Sequence, residues 1–271
     1  MKRILMLFGI LMVLMTVPAF AADANVTLDG EDTGLTVCVA ESGTSYVSFR
    51  AFCESIGDMI VTMEDQTVMA VAPDGSWFIQ GELGDPYLVA NGRYLYTGDS
   101  VVCLWGNTTM IPVRTMAKAF DLDVAWNGET NTVELTSGQG VATYGDLYYS
   151  ADDVYWLARI INAESGNQPL RGKVAVGSVI LNRVESPIFP NNVYDVIFDC
   201  RYGVHQFTPA SSGTIHATPN VESVIAAKLC LDGAREAEDS LYFVASQAAG
   251  RSWAGRNRPY CETIGNHNFY L

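Results

Sequence analysis

Glu164 is the residue of this sequence best placed to act as a general acid. Before it, apolar residues recur at the spacing of one helix face: Val154, Leu157, Ala158 and Ile161. At about 100° per residue, Glu164 falls on the edge of that face, in the last turn of the predicted helix. A half-buried carboxylate at the negative end of a helix should have a raised pKa, as a general acid requires. A solvent-facing glutamate near a helix end is the alternative, and position alone does not decide between the two.

The surrounding sequence predicts three helices that position this carboxylate. Ser150 or Asp152 can cap the start of the first helix, and Gly166 can end it. Residues 172–184 are apolar on almost every side, which predicts a central buried helix. Thr218, which a proline follows, is predicted to cap a third helix with an apolar inner face.

The first 21 residues predict an export signal. Lys2 and Arg3 precede an apolar run over residues 4–17, and an Ala-x-Ala pattern ends at Ala21. The run is too short to span a bilayer comfortably, so we expect cleavage after Ala21, with an uncleaved membrane anchor as the alternative. No later stretch is long and apolar enough to cross a membrane, so the mature chain is expected to be exported and soluble, without stable membrane insertion.

The charge of the chain is distributed unevenly between its two halves. Residues 22–150 contain 4 basic and 18 acidic residues, a net charge of −14, and residues 151–271 contain 10 and 12, a net charge of −2. Phosphate binding needs clustered lysine and arginine, so this balance argues against nucleic acid as a partner. It also argues against a purely electrostatic attachment to an anionic surface.

Cysteines are divided equally between the two halves. An exported protein can form disulfides, but three cysteines in each half leave at least one free or bridging the halves, and the pairing stays open. Their spacing fits no zinc motif, and no metal or other cofactor is predicted. The six are Cys38, Cys53, Cys103, Cys200, Cys230 and Cys261.

The N-terminal half contains two similar segments, residues 46–68 and 110–133. Each reads as a short strand, a helix led by Arg50 or Arg114, and a β-hairpin, with a turn signal at Asn127-Gly128 in the second. A spacing of about 64 residues is too long for a solenoid, so a pair of βαββ units is predicted. The stretch between the segments alternates like strands around an Asn-Gly pair.

This pattern resembles the copper amine oxidase N-terminal-like domain over residues 25–136. That module is common on exported bacterial wall proteins and binds no copper, and residues 25–136 contain no histidine. The resemblance implies attachment or spacing, and a purely structural role is equally open. Residues 137–150 are Gly-rich without periodicity. We therefore expect a signal (1–21), a first domain (22–137), a linker (138–150) and a second domain (151–271).

Residues 151–271 resemble the spore cortex-lytic, or SleB-type, cell wall hydrolase family. The matching motifs occur in the same order: Glu164-Ser-Gly-Asn-Gln-Pro169, Leu181-Asn-Arg-Val184, Gln206-Phe207, Leu241-Tyr-Phe243 and Ile264-Gly-Asn-His-Asn-Phe269. The resemblance implies a lysozyme-like, mainly helical domain with a small strand element, and an α+β chain overall. It implies an exported enzyme of the cell wall or spore envelope that cleaves peptidoglycan glycan strands between N-acetylmuramic acid and N-acetylglucosamine. The family's catalytic glutamate falls on Glu164, while vegetative wall and spore cortex both stay open as substrates.

A mechanism with one carboxylate fits the sequence. Hydrolysing glycosidases generally place two carboxylates about the scissile bond. The other acids considered are predicted in loops or at helix ends: Glu185, Asp195, Asp199 and Glu222. One acid suffices if the sugar's own C6 hydroxyl attacks, because Glu164 can protonate the leaving oxygen and then act as base toward that hydroxyl. With the family resemblance, this favours a lytic transglycosylase giving 1,6-anhydro products; a hydrolase giving reducing ends is the alternative.

Four further residues are candidates for substrate binding. Gln206 and Phe207 lie in an irregular stretch, where a polar and aromatic pair can hold a sugar, although core packing of Phe207 is as consistent with the pattern. Tyr242 lies on an apolar strand, where a tyrosine usually belongs to the core. His267 fits a hydrogen-bonded structural histidine better than a base.

Two departures from the family pattern keep a non-catalytic alternative open. Gln168 stands where family members often carry a second glutamate, and Ala245-Ser246 replaces the usual Asn-Pro. A wall-binding protein whose catalytic domain has lapsed would tolerate both changes, although the intact Glu164 argues against it.

A peptidase that uses Cys200 or Cys261 with His267 is an alternative of a different class. It is disfavoured because no cysteine stands at a helix start with a marked base, as an activated thiolate usually does.

Overall fold

The structure is a computed structural model that describes residues 20–98, 100–138, 143–201 and 203–271. The predicted export signal lies outside the described residues except for its last two positions. Within the described part, no helix is long and apolar enough to span a bilayer.

The first half of the chain is built mainly of short strands that alternate buried and exposed residues. In chain order its elements are β1 (Phe20–Leu28), β2 (Glu31–Ala40), β3 (Ser45–Ser48), α1 (Phe49–Gly57), β4 (Ile60–Glu64), β5 (Thr67–Val71), β6 (Phe78–Glu82), β7 (Tyr87–Ala90), β8 (Arg93–Tyr96), β9 (Cys103–Trp105), β10 (Thr108–Pro112), α2 (Val113–Ala119), β11 (Leu122–Asn127), β12 (Thr132–Ser137) and α3 (Gly145–Tyr148). The alternation lets each sheet bury one face, which a shared core then covers.

These strands form two sheets around one core. The first sheet has seven strands in the order β11-β12-β1-β2-β3-β10-β9, antiparallel except for the parallel pair β1–β12. The second is a five-stranded antiparallel meander, β4 to β8. Phe49 and Phe52 of α1 are fully buried, and the ring of Phe120 packs edge-on against Phe52 and Trp77. We call this half the N-terminal module.

The two similar segments of the N-terminal module are not equivalent in the structure. Both have the order strand, helix, hairpin, as β3-α1-β4-β5 and β10-α2-β11-β12. The first hairpin, however, belongs to the five-stranded sheet and the second to the seven-stranded sheet. The difference arises because β5 pairs with β6, whereas β12 pairs with β1. Local sequence similarity therefore fixes the elements but not their partners.

The second half is mainly helical. In chain order its elements are α4 (Ala151–Ser165), α5 (Leu170–Glu185), α6 (Val193–Phe198), β13 (Cys200–Arg201), β14 (Val204–His205), α7 (Thr208–Ser212), a 3-10 turn (Thr214–His216), α8 (Val221–Leu231), β15 (Tyr242–Ala245), a 3-10 turn (Ser246–Arg251), α9 (Trp253–Asn257), β16 (Tyr260–Ile264) and β17 (His267–Tyr270). Helix α5 is buried along most of its length between α4 and α8, so the prediction of a central helix is confirmed. Strands β15, β17 and β16 form a small antiparallel sheet.

Helix α8 begins later than the sequence predicts. Its N-cap is Asn220, whose side chain accepts a hydrogen bond from the backbone N–H of Ser223 at 2.8 Å. The prediction of Thr218 as the cap was wrong, because Thr218 and the proline after it precede the first turn. Asparagine is as good a cap as threonine, so the local sequence offers two starts and a tertiary contact selects one.

All six cysteines are described, and all are free thiols. The disulfides that an exported chain could form are therefore not part of this structure. Burial raises the pKa of the Cys53 and Cys230 thiols to about 12, so both are inert apolar side chains rather than reactive ones.

The two halves meet at Asp232, the C-cap of α8. Arg93 of β8 donates from Nε and Nη2 to the two carboxylate oxygens at 2.9 and 3.0 Å. Lys118 Nζ lies 2.5 Å from the same carboxylate, and the Tyr149 hydroxyl donates to it at 3.2 Å. Tyr149 belongs to the segment expected to be a linker, and its hydroxyl also accepts the backbone N–H of Tyr94 at 2.8 Å. The described end of that segment is thus packed against the N-terminal module.

Candidate active site

Helix α4 carries Glu164 as the sequence predicts. The Ser150 side chain caps its start by accepting the backbone N–H of Asp153 at 3.3 Å, and Gly166 is its C-cap. Leu157 and Ile161 are fully buried on the inner face of the helix, and Glu164 is half-buried in the last turn. The apolar face thereby holds the carboxylate at the margin between core and solvent.

The end of α4 is fixed by the cap of another helix. Asn162 Oδ1 accepts the backbone N–H of Asn220 at 3.0 Å, and Asn220 Nδ2 donates to the Gly166 carbonyl at 3.0 Å. A helix C-terminus leaves carbonyl groups without intrahelical partners, so this contact satisfies one of them. Asn220 therefore caps α8 and fastens the end of α4, which limits the movement of Glu164.

Glu164 opens onto a cavity of about 440 Å³. One wall is the end of α4, and the other is formed by the chain after β15 and by the turn between β16 and β17. The lining residues are Glu164, Asn167, Gln168, Ala245, Ser246, Gln247, Gly265, Asn266 and His267. Most are polar and uncharged, which suits hydrogen bonding to the hydroxyl and acetamido groups of a sugar.

Gln168 joins the two walls of this cavity. Its Oε1 accepts the backbone N–H of Asn266 at 2.9 Å, and its carbonyl accepts from Lys173 Nζ at 2.7 Å. Gly265 has a φ of +57°, and a Cβ there would lie 2.2 Å from Gln168 Oε1, so this turn requires glycine. Gln168, noted from the sequence as a departure from the family pattern, is thus a buried structural amide in this chain.

Burial sets the charge states of the two titratable groups in the cavity. Desolvation raises the pKa of Glu164 to about 6, and no described residue forms a hydrogen bond or ion pair with its carboxylate. Burial lowers the pKa of His267, so its ring is neutral at pH 7. His267 Nδ1 is buried without a partner in the described part of the chain, and the ring packs edge-on against Phe243. The site thus contains one acid that retains a proton readily and one neutral imidazole.

Of the four predicted substrate-binding residues, His267 lines the Glu164 cavity and the other three lie elsewhere. Gln206 is exposed, and Phe207 is buried with its ring 4.9 Å from the guanidinium of Arg183. The Tyr242 hydroxyl accepts from Arg258 Nη2 at 3.0 Å. Binding roles for these residues stay predictions.

Several lining residues were not found from the sequence. Ser246, Gln247 and Asn266 reach the cavity from chain segments far from Glu164. Ser246 and Asn266 lie in segments compared with the family pattern but were not predicted as site residues, and no pattern indicated Gln247. Asn220 carried a usable signal, because an asparagine directly before an apolar helix is a standard cap.

The other acids considered from the sequence are engaged outside the cavity. Glu185 pairs with Arg235 at 2.6 Å, Asp199 pairs with Arg201 at 2.7 Å, Glu222 pairs with the buried Lys173, and Asp195 accepts from Asn192 at 2.7 Å. Of the described residues that line the cavity, Glu164 is the only carboxylate. Neither Cys200 nor Cys261 lines it with His267. Across the described ranges, no three His, Cys, Asp or Glu side chains are grouped closely enough to hold a metal ion.

The second half of the chain is similar in sequence to known proteins. Residues 167–270 match the family model described as Cell Wall Hydrolase. The solved catalytic domain of the germination-specific lytic transglycosylase SleB from Bacillus anthracis is 36% identical, with 97% of that domain and 45% of this chain covered and a TM-score of 0.41. The chain belongs to the cell wall hydrolase family. The family match begins at Asn167, three residues after Glu164.

Curated relatives match part of the chain, and a second family model matches the N-terminal module. The spore cortex-lytic enzymes of Bacillus cereus (strain ATCC 14579) and Bacillus subtilis (strain 168) are 37% and 35% identical over 121 residues. These matches cover 45% of this chain and 45% and 38% of the relatives, so the chain spans under half of their length. Residues 27–135 match the copper amine oxidase N-terminal domain.

Proposed function

We propose that this chain is an exported lytic transglycosylase that cleaves peptidoglycan glycan strands between N-acetylmuramic acid and N-acetylglucosamine. One observation carries the proposal. Glu164 is a half-buried carboxylate with a pKa raised to about 6, and it is the only acid among the described residues of its cavity. A carboxyl of this kind can donate a proton near neutral pH and then accept one.

The reaction follows from that single acid. Protonated Glu164 donates its proton to the glycosidic oxygen as the bond from that oxygen to C1 of the muramic acid breaks. The carboxylate then takes the proton of the C6 hydroxyl as O6 bonds to C1. This closes a 1,6-anhydro ring and returns Glu164 to its protonated state. Hydrolysis generally uses a second carboxylate, as base or as nucleophile, and the described residues that line the cavity include none.

The neutral lining residues are suited to positioning the sugar. His267 Nδ1 lacks a partner in the described structure, and Asn266 and Gln247 present amide groups on the same wall. A buried polar atom without a partner gains most when a ligand supplies its hydrogen bond. We infer that His267 binds substrate in its neutral form. We propose that the part of the glycan strand that extends beyond this cavity is held by Gln206, Phe207 and Tyr242.

The names of the relatives support the substrate class. They are spore cortex-lytic enzymes and a germination-specific lytic transglycosylase. We infer a lysozyme-like arrangement for residues 151–271, an export signal at residues 1–21, and a location in the cell wall or spore envelope. The N-terminal module, residues 22–137, is inferred to hold the enzyme near its substrate, and residues 138–150 to connect the two parts.

Mass spectrometry of the fragments released from purified peptidoglycan tests this function. The mature chain should release anhydro-muropeptides, Glu164→Gln should release none, and the matched control Glu185→Gln should act like the parent because Glu185 lies outside the cavity. Reducing-end sugars would replace the transglycosylase with a hydrolase. Released peptides would indicate thiol chemistry, and no release by any variant would indicate a wall-binding protein.

A further inference from the structure

The N-terminal module has a cavity of its own, about 810 Å³ in volume and larger than the one at Glu164. It lies between the turn from β2 to β3, the first turn of α2 and the edge strand β11. Its size is that of a site for a ligand of a few sugar rings or a short peptide. Pro112, Val113 and Thr115 form a buried side of the cavity, whereas the turn from β2 to β3 and strand β11 form its exposed rim.

Trp126 gives this cavity an aromatic wall. It lies on β11, which has a neighbouring strand on one side only, and its side chain is 49% exposed. An exposed indole offers a large, flat apolar surface that a ligand can cover. The apolar face of a pyranose ring suits this surface, because its C–H groups carry partial positive charge and meet the electron-rich face of the indole.

Another part of the lining is rich in hydroxyl groups. Ser42 Oγ donates to Thr44 Oγ1 at 3.2 Å, and Thr44 Oγ1 lies 3.3 Å from Ser100 Oγ. Each hydroxyl can both donate and accept, so a row of them adapts to the hydroxyl groups of a sugar. A lining that combines an indole with several hydroxyl groups fits a carbohydrate better than an apolar peptide.

Arg114 adds a charge that is not otherwise engaged. Residues 22–150 contain four basic residues, and three of them, Arg50, Arg93 and Lys118, form ion pairs. Arg114 lines the cavity, is exposed, and forms no ion pair or hydrogen bond with any residue that the structure describes. Residues 22–150 have a net charge of −14, so a cation left there without an acidic partner points to a ligand that brings its own anion. A guanidinium binds a carboxylate with two parallel hydrogen bonds.

We propose that this cavity binds an amino-sugar oligosaccharide that carries a carboxylate. Trp126 packs under a sugar ring, Arg114 binds the carboxylate, and Ser42, Thr44 and Ser100 bind the sugar hydroxyls. The carboxylate is either the lactyl group of a peptide-free muramic acid or the free end of its stem peptide. The choice of a muramic acid ligand rests on the proposed function, while the site itself rests on the cavity. A second site on the same strand would keep the enzyme on its substrate between cleavages.

Titration calorimetry on the full chain tests the site, with Glu164→Gln as background so that the ligand stays intact. The probes are a peptide-free muramic acid tetrasaccharide, the same tetrasaccharide with its stem peptides, and the neutral chitin tetrasaccharide. The background protein should bind two molecules of at least one muramic acid probe. Trp126→Ala and Arg114→Gln should each weaken one of the two sites by about tenfold or more. Trp105→Ala is the matched control, because Trp105 is 39% exposed in the same module and does not line the cavity.

Each outcome decides one part of the proposal. An Arg114→Gln effect on the peptide-free probe identifies the lactyl group as the anion, and an effect on the peptide-bearing probe alone identifies the stem peptide. Equal binding of chitin with no Arg114→Gln effect overturns the carboxylate. Binding that Trp126→Ala leaves unchanged, or an equal loss in Trp105→Ala, overturns the site. If the parent chain cleaves nothing but the Trp126-dependent binding persists, the site stands and the proposed function fails. If Trp126→Ala fails to fold, Trp126→Phe takes its place. Because phenylalanine retains a smaller ring, this variant should weaken the site by less.

Discussion

Two buried carboxylates of this protein have opposite surroundings. Asp232, where the two halves meet, is surrounded by Arg93, Lys118 and the hydroxyl of Tyr149. Glu164, in the cavity of the hydrolase domain, has no cation or hydrogen-bond donor among the described residues. The same chemical group is therefore an ion-paired cross-link in one place and a carboxyl that keeps its proton to higher pH in the other, and its neighbours decide which.

Free energy explains the difference. Removing an ionised carboxylate from water costs several kcal/mol, and a protein can offset the cost with cations or avoid it by keeping the proton. At Asp232 the contacts with two cations and a hydroxyl group offset the cost of removing the carboxylate from water. The same contacts hold the two halves of the chain together. At Glu164 nothing provides it, so the proton is retained to higher pH. A group poised in this way is reactive, whereas a paired group is inert.

Glu164→Gln should have the largest effect of any single substitution on activity and should leave the fold intact. Loss of a general acid lowers a rate by about 10²–10⁴-fold. Release of dye from labelled peptidoglycan measures the rate, and circular dichroism measures the fold. Asp232→Asn should leave the rate within a few-fold of the parent at a temperature where it is folded. A Glu164→Gln enzyme that retains most of its rate would contradict the acid role.

Asp232→Ala should have the largest effect on stability. Removing one partner of a buried ion pair leaves uncompensated charge, at a cost of about 3–5 kcal/mol in the free energy of unfolding. Urea unfolding measures the change, and Asp239→Ala is the control because Asp239 is exposed on the same connection. Equal stability of the two variants would mean that the Asp232 cluster does not hold the halves together.

The stability of the parent should depend on pH through Glu164. Burial raises the pKa of this carboxyl from 4.5 to about 6, so the folded protein binds the proton more tightly than the unfolded chain does. The stabilisation is complete below about pH 4.5 and is lost as pH rises through about 6. Relative to Glu164→Gln, the parent should lose about 2 kcal/mol between pH 4 and pH 7. Urea unfolding of both proteins across this pH range measures the difference in their free energies of unfolding. A difference that does not change with pH would mean that the carboxyl is exposed to water.

The sequence predicts the helix of Glu164 well because its determinants are local. Apolar spacing, a capping serine and a terminal glycine lie within sixteen residues of one another, from Ser150 to Gly166. The raised pKa followed from the same spacing, since the edge of an apolar face is a half-buried place.

The contacts that complete the site were beyond the reach of the sequence because they join distant segments. Asn220 is 58 residues from Asn162, and Asn266 is 98 residues from Gln168. Arg93 is 139 residues from Asp232. Asn220 can be recognised locally as a helix cap, but no local pattern indicates the distant partner of any of these side chains. Long-range pairing also placed the two hairpins of the N-terminal module in different sheets.

Substitutions of Gln168 should have the smallest effects, but they test most directly how neighbouring groups control the proton of Glu164. Gln168→Glu would place a second carboxylate beside Glu164 while an oxygen still accepts the Asn266 N–H, so the fold should be retained. A like charge disfavours ionisation, so the pKa of Glu164 should rise and the alkaline limb of the pH–rate profile should move to higher pH. Gln168→Met, which loses the hydrogen bond without adding charge, should cost about 1 kcal/mol in stability and leave that limb in place. The charge explanation would be contradicted if the alkaline limb moved in Gln168→Met or stayed in place in Gln168→Glu. Either result would mean that the packing of the cavity wall, rather than the charge near Glu164, sets the pKa of Glu164.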